Sequence, residues 1–161
     1  MSRRAAGLHI RRVSPHLPEA AILVAELDAY QGALYPAESN HLLDLDALAQ
    51  PEVHFYLAYA GVDSQQAVGC AALVACEGYA ELKRMYVTPA ARGRGHAQAL
   101  LAALEQQAGT LGLSRVRLET GIRQPEAINL YRRQGYTDCP PFGDYLPDPL
   151  SLFMQKALPP G

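Results

Sequence analysis

The stretch from Leu82 to Ala108, LKRMYVTPAARGRGHAQALLAALEQQA, constrains this chain more than any other. It runs from a β-like segment through an arginine-and-glycine turn into a segment whose apolar residues Ala97, Leu100, Leu101, Leu104 and Ala108 fall at i, i+3, i+4, i+7 and i+11. That spacing makes one stripe of a helix facing a sheet. A helix in this position is a crossover, so the strand before the turn and the next strand, Arg115 to Glu119, are expected to lie parallel and to diverge at the turn. Within the turn, Arg92-Gly93-Arg94-Gly95-His96-Ala97 sets two residues without a Cβ among consecutive backbone N–H groups. Glycine permits positive φ and close backbone approach, which lets such groups converge on an anion. The helix that follows adds free first-turn amides and the positive end of its dipole, so a phosphate or pyrophosphate is the natural occupant. Arg92 and Arg94 can supply bidentate charge to the same oxygens.

Other phosphate loops do not fit these residues. A dinucleotide fingerprint needs a third glycine or alanine where Gln98 stands, and a P-loop needs a Gly-Lys-Ser/Thr that is absent.

The rest of the chain supplies the frame. Leu8 to Val13 reads as a short strand, Pro18 to about Ala33 as a helix with Ala21, Val24, Ala25, Leu27 and Ala29 at helical spacing, and Leu42 to Ala49 as a second short helix stopped by Gln50-Pro51. Val53 to Ala60, Ala67 to Cys76 and Tyr79 to Val87 are β-like runs separated by turn residues, an antiparallel meander in which Gly69 marks a bulge or a thin spot. Gln124-Pro125-Glu126 starts a helix that ends at Gly135, and Ser151 to Lys156 makes a last strand after a stiff proline-rich loop.

At 161 residues, without repeats or a linker, a single domain over residues 1–161 is expected. Lys and Arg number 14 against 16 Asp and Glu, a balance unlike the basic excess of nucleic-acid binders. Cys70, Cys76 and Cys139 have no metal-ligand spacing, so no metal is expected and a reducing cytoplasm suits them. Nothing approaches the roughly 18 apolar residues that a membrane span needs.

Arg92-x-x-Gly95-x-Ala97, after Met85-Tyr86-Val87 and before a Leu-rich helix, resembles the acyl-CoA signature of the GNAT superfamily of N-acetyltransferases. A second resemblance lies in Ala127 to Tyr136, where Tyr131, Gly135 and Tyr136 match the family's pattern and the asparagine is displaced to Asn129. Two motifs in the right order of elements make the match specific. The fold that the resemblance implies is an α/β (α+β) GNAT fold over roughly residues 8 to 158. It comprises a mixed, mostly antiparallel twisted sheet of about six or seven strands, about four helices, and a splayed parallel strand pair at the acyl-CoA site.

The resemblance further implies an acyltransferase that uses acetyl-CoA to acetylate a primary amine of a small molecule by direct transfer. The backbone of Met85, Tyr86 and Val87 would hold the pantetheine arm, with Arg92, Gly93, Arg94, Gly95, His96 and Ala97 around the pyrophosphate and Asn129 on the pantetheine amides. Tyr131 stands where family members place the tyrosine that protonates the departing thiolate; its other reading is a packed helix aromatic. An alkyl ammonium, with a pKa of about 10.4, must lose a proton before it attacks. Glu81, on the strand feeding the turn, is the first candidate base, against a reading in which it is a solvated strand carboxylate paired with Lys83, Arg84 or a cross-strand partner; His41 and His54 are alternatives. The family's acceptor walls correspond to Tyr35 to His41 and Phe142 to Asp148, so Tyr35, Glu38, His41 and Tyr145 are substrate candidates, with loop solvation as the competing reading. The sequences Tyr-Pro-x-Glu-Ser, Leu-Glu-Thr-Gly and Pro-Phe-Gly-x-Tyr are similar to those of a bacterial GNAT subgroup. A non-catalytic acyl-CoA-binding module, a protein or peptide amine as acceptor, and a homodimer through a sheet edge stay open at this point.

Overall fold

The computed structural model describes residues 8–36, 44–61 and 66–159. Its strands are β1 (His9–Arg12), β2 (Val53–Ala60), β3 (Gln66–Ala75), β4 (Ala80–Val87), β5 (Arg115–Gly121), β6 (Thr137–Asp138) and β7 (Ser151–Ala157), and its helices are α1 (Pro18–Leu34), α2 (Leu45–Leu48), α3 (His96–Thr110) and α4 (Pro125–Arg133). Among the described residues these strands form one seven-stranded sheet in the order β1-β2-β3-β4-β5-β7-β6. Only β4 and β5 pair in parallel. The mixed sheet, four helices and crossover strand pair agree with the expected fold. β6 adds a two-residue strand that sequence reading did not separate from its loop, because two residues are too short to show alternation.

Two apolar layers sandwich the sheet. On one face α3 lays down Leu100, Leu101, Leu104 and Ala108 against Ala71, Leu73, Leu82, Val116 and Leu118, joined by Tyr131 of α4. On the other, α1 packs Ala20, Leu23, Val24 and Leu27 against Phe55, Leu57, Cys70 and Ala72. The α3 stripe is the expected one. The α1 stripe is turned from the expected one: Ala25 and Ala29 are exposed, and Ala20 and Leu23 take the buried places. Alanine occurs on both sides of α1, so its spacing does not distinguish the faces.

β4 carries the irregularity that matters. Lys83 pairs with Ala72 and Tyr86 with Cys70, so Arg84 and Met85 together oppose Ala71. This is a β-bulge, and Arg84 sits in it at φ 60. The extra residue reverses the side-chain alternation: Tyr86 joins the α1 layer and Val87 the α3 layer. Arg84 is held by an ion pair from Nη1 to Asp28 Oδ1 at 2.6 Å, and its carbonyl accepts from the Cys70 thiol at 3.3 Å. Burial pushes that thiol up to about 12, so it remains a protonated donor.

Gly69 pairs with Val87, just past the β4 bulge, and with Ala58 at a second irregularity, where β2 and β3 change register and Val68 is the extra residue. A Cβ there would lie 2.9 Å from the Tyr86 carbonyl oxygen and 3.2 Å from Leu100 Cδ1. It borders the bulge and is the thin spot. Gly69→Ala is therefore expected to destabilise the protein by about 1–3 kcal/mol through overpacking against backbone, read as a lower denaturant midpoint at unchanged slope.

Candidate active site

The parallel ladder between β4 and β5 is short. Register runs Ala80 with Val116, Glu81 with Arg117 and Leu82 with Leu118, then ends, although β4 continues to Val87 and β5 to Gly121. The two strands splay, and the space between them opens two cavities that share Met85, Gln124, Ala127 and Tyr131.

The larger cavity is a groove of about 540 Å³. Its walls are Met85, Tyr86 and Val87 of β4, the turn residues Arg92, Gly93, Gly95, His96 and Ala97, Leu27 and Tyr30 of α1, and Leu130 and Tyr131 of α4. Gly93 and Gly95 have φ 78 and 81, the left-handed region in which a side chain is strained, and open space lies where a Cβ would stand on either. Gly95 is the N-cap of α3 and has no side chain to cap the helix. The first helical hydrogen bond is Ala99 N–H to the Gly95 carbonyl at 3.0 Å, which leaves the amides of His96, Ala97 and Gln98 without a carbonyl partner in the helix. Unsatisfied amides, a dipole end and a neighbouring guanidinium fit a phosphate-bearing ligand such as coenzyme A.

The expected ligands divide. The Arg92 side chain folds back, Nε donating to the Val87 carbonyl at 3.0 Å and the guanidinium lying 5.8 and 5.9 Å from the Tyr30 and Tyr86 ring centres. Arg94 is exposed and outside the groove lining. The His96 imidazole is buried, and burial, with Arg94 second, lowers its basicity. Asn129 is exposed on α4 and does not reach the groove.

The smaller cavity is a polar chamber on the α1 face. Glu81 and Lys83 of β4, Glu119 and Gly121 of β5, Gln31 of α1, Tyr35 at the C-cap of α1, and Tyr145 from the loop before β7 line it, with Tyr131 at the junction. Glu81 is only 7% exposed. Its Oε2 accepts the Tyr145 hydroxyl at 2.5 Å and lies 3.4 Å from Lys83 Nζ, and Lys83 Nζ donates to the Tyr145 oxygen at 2.6 Å. Glu81 therefore pairs with Lys83, as one of its two readings has it, and also lines the chamber. Burial, followed by the charge of Glu81, raises the Tyr145 hydroxyl above the ordinary tyrosine range. Tyr131 is 5% exposed, and burial, with Glu119 second, likewise raises its hydroxyl, which keeps its proton.

Tyr35 closes the far wall. Its hydroxyl accepts from the Arg123 amide at 3.0 Å and donates to Gln124 Oε1 at 3.3 Å, and a Cβ on Gly121 would stand 1.8 Å from its oxygen. Tyr35 thus fastens the end of α1 to the turn between β5 and α4. Glu38 and His41 lie outside the described residues. His54 is buried in β2 and does not line the chamber. Sequence reasoning missed Lys83, Gln31, Gln124 and Glu119 as lining residues; the one signal for Glu119 was its place in Leu118-Glu119-Thr120-Gly121.

Residues 20–136 match the model of the Acetyltransferase (GNAT) family. The chain is 50% identical over 151 residues to an IAA acetyltransferase of Azospirillum brasilense, covering 92% of this chain and 97% of that protein. It is 36% identical to YsnE of Bacillus subtilis, an uncharacterized N-acetyltransferase, over 76% of this chain and 82% of the relative. Among solved structures, a Klebsiella pneumoniae protein described as an acyl-CoA N-acyltransferase superposes with a TM-score of 0.78 at 39% identity, covering 94% of this chain and 97% of that one. The chain belongs to the GNAT family of acetyltransferases and is an acyltransferase. Acetyl-CoA is that family's co-substrate, and a fold neighbour at 17% identity and TM-score 0.66, PaiA N-acetyltransferase of Thermoplasma acidophilum, was solved with coenzyme A.

The fastening by Tyr35 gives a prediction. Gly121→Ala is expected to evict the Tyr35 ring and cost about 1–3 kcal/mol in thermal unfolding, and the same change in a Tyr35→Ala background to cost less than half as much. Equal losses in the two backgrounds would mean that Tyr35 does not pack on Gly121.

Proposed function

We propose that the protein transfers the acetyl group of acetyl-CoA directly to a primary amine of a small molecule, with Glu81 as general base and Tyr131 as general acid. The observation that carries this reading is the meeting of the two cavities at Met85 and Tyr131, an anion-binding groove on one side and a carboxylate-lined chamber on the other. Bound acetyl-CoA supplies an activated thioester, whose acyl carbon passes to the amine nitrogen as the carbon–sulfur bond breaks.

The chain's residues then divide the work. The turn from Arg92 to Ala97 and the first amides of α3 hold the pyrophosphate, and the unpaired β4 edge from Met85 to Val87 holds the pantetheine arm, the main-chain N–H near Met85 polarising the thioester carbonyl. In this assignment Arg94 contributes long-range charge and Asn129 contributes nothing. Glu81 takes the proton that the acceptor ammonium must lose, directly or through water. Tyr131 keeps its proton because it is buried beside Glu119, and gives it to the departing thiolate. The polar walls from Gln31, Tyr35, Glu119 and Tyr145 favour a small cationic acceptor over a protein segment. The name of the Azospirillum relative adds a small-molecule acceptor as a precedent at half-identical sequence.

Thiol release from acetyl-CoA tests the assignment. Tyr131→Phe is expected to lower kcat about 10²-fold with KM for acetyl-CoA within about threefold, because the lost hydroxyl acts only as the thiolate leaves. Unchanged kcat would remove Tyr131 from the acid role. Glu81→Gln is expected to lose turnover while still binding acetyl-CoA.

A further inference from the structure

Glu81 is held asymmetrically. Its two contacts both go to Oε2, from the Tyr145 hydroxyl at 2.5 Å and from Lys83 Nζ at 3.4 Å. The carboxylate lines the polar chamber, and Oε1 takes no part in either contact. Lys83 reaches the same group twice, since its Nζ also donates to the Tyr145 oxygen at 2.6 Å. The three side chains close a ring in which lysine donates to tyrosine, tyrosine donates to one carboxylate oxygen, and lysine is ion-paired with that same oxygen. Hydrogen bonds to an ionised acceptor are short and strong, and they fix orientation as well as charge.

The ring is anchored from outside. The Tyr145 ring packs edge-on against Phe142 at 5.2 Å and Phe153 at 5.4 Å between centres, so a loop residue has the fixity of a core residue. Lys83 and Glu81 are successive inward positions of one strand, just before the bulge at Arg84. A base must present one oxygen at a fixed angle to the nitrogen that it deprotonates.

We propose that Tyr145 and Lys83 are positioning residues, which pin Oε2 of Glu81 and thereby turn Oε1 toward the acceptor amine. The inference rests on the reading of Glu81 as general base and assigns Tyr145 a role in the machinery rather than in substrate recognition. Neither residue lines the acetyl-CoA groove, so their effect falls on turnover and not on the binding of that substrate.

A double-mutant cycle on the full-length protein separates this from a structural role. Thiol release from acetyl-CoA is measured with an equimolar pool of glycine, lysine, cadaverine and tyramine for wild type, Glu81→Gln, Tyr145→Phe and the double variant. Tyr145→Phe keeps the ring and its packing; it is expected to lower kcat about tenfold with KM for acetyl-CoA unchanged, and the double variant to be no slower than Glu81→Gln alone. Lys83→Met is expected to behave as Tyr145→Phe does. In proton NMR the Tyr145 hydroxyl is expected as a far-downfield signal that is lost in Tyr145→Phe and moved in Glu81→Gln. Losses that multiply in the double variant, wild-type kcat in Tyr145→Phe, or no such signal would overturn the positioning role. Wild-type turnover in Glu81→Gln, or none in the wild type with any pooled amine, would instead overturn the reading beneath it.

Discussion

Divergence of β4 from β5 is the constraint on which the site depends. The strands stay paired only as far as Leu82 and Leu118. Two residues later β4 enters its bulge, where Arg84 adopts a left-handed conformation that costs of order 1–3 kcal/mol and persists because its surroundings hold it. The Asp28 ion pair and the Cys70 thiol do the holding. The bulge leaves part of the β4 backbone unpaired in a cavity, and it turns Tyr86 toward α1, where its hydroxyl donates to Glu26 Oε2 at 3.2 Å. A flat, fully paired strand would offer neither groove nor chamber.

The splay also explains why two kinds of chemistry sit side by side. Under the proposed function, charge on the ligand's phosphates is met by backbone amides and a helix dipole at the α3 end, a site that needs no ionisable side chain inside the fold. Proton transfer, under the same proposal, falls to the chamber, where Glu81 and Tyr131 are buried and Tyr145 is half-buried. Burial raises the hydroxyls of Tyr131 and Tyr145, so both keep their protons, in keeping with a donor role for Tyr131 in the proposed function.

The turn and its helix were legible because their information is local. Two glycines at fixed offsets, a leucine stripe of period 3.6 and a following strand all fall within 40 residues, and each maps to one structural need. The chamber was hardly legible. Gln31, Lys83, Glu119 and Tyr145 come from four separate segments, and only the folded sheet brings them together. Asn129 differs for a related reason: it stands three places along α4 from the motif's position, which Glu126 occupies, and of the two only Glu126 lines the groove. In α1, alanines on both faces hid the buried stripe, and it took the contacts of Leu23 and Leu27 to show it.

The claim that all else depends on is that the turn and the splay bind acetyl-CoA. Calorimetric titration of acetyl-CoA into the wild type and into Gly95→Leu tests it most directly, since a leucine at φ 81 would be strained and would fill the open space above the α3 amides. The account predicts a saturable heat for the wild type and a loss of about a hundredfold or more in affinity for the variant, with cooperative unfolding preserved. Equal affinity in the two proteins, or no binding by the wild type, would contradict it.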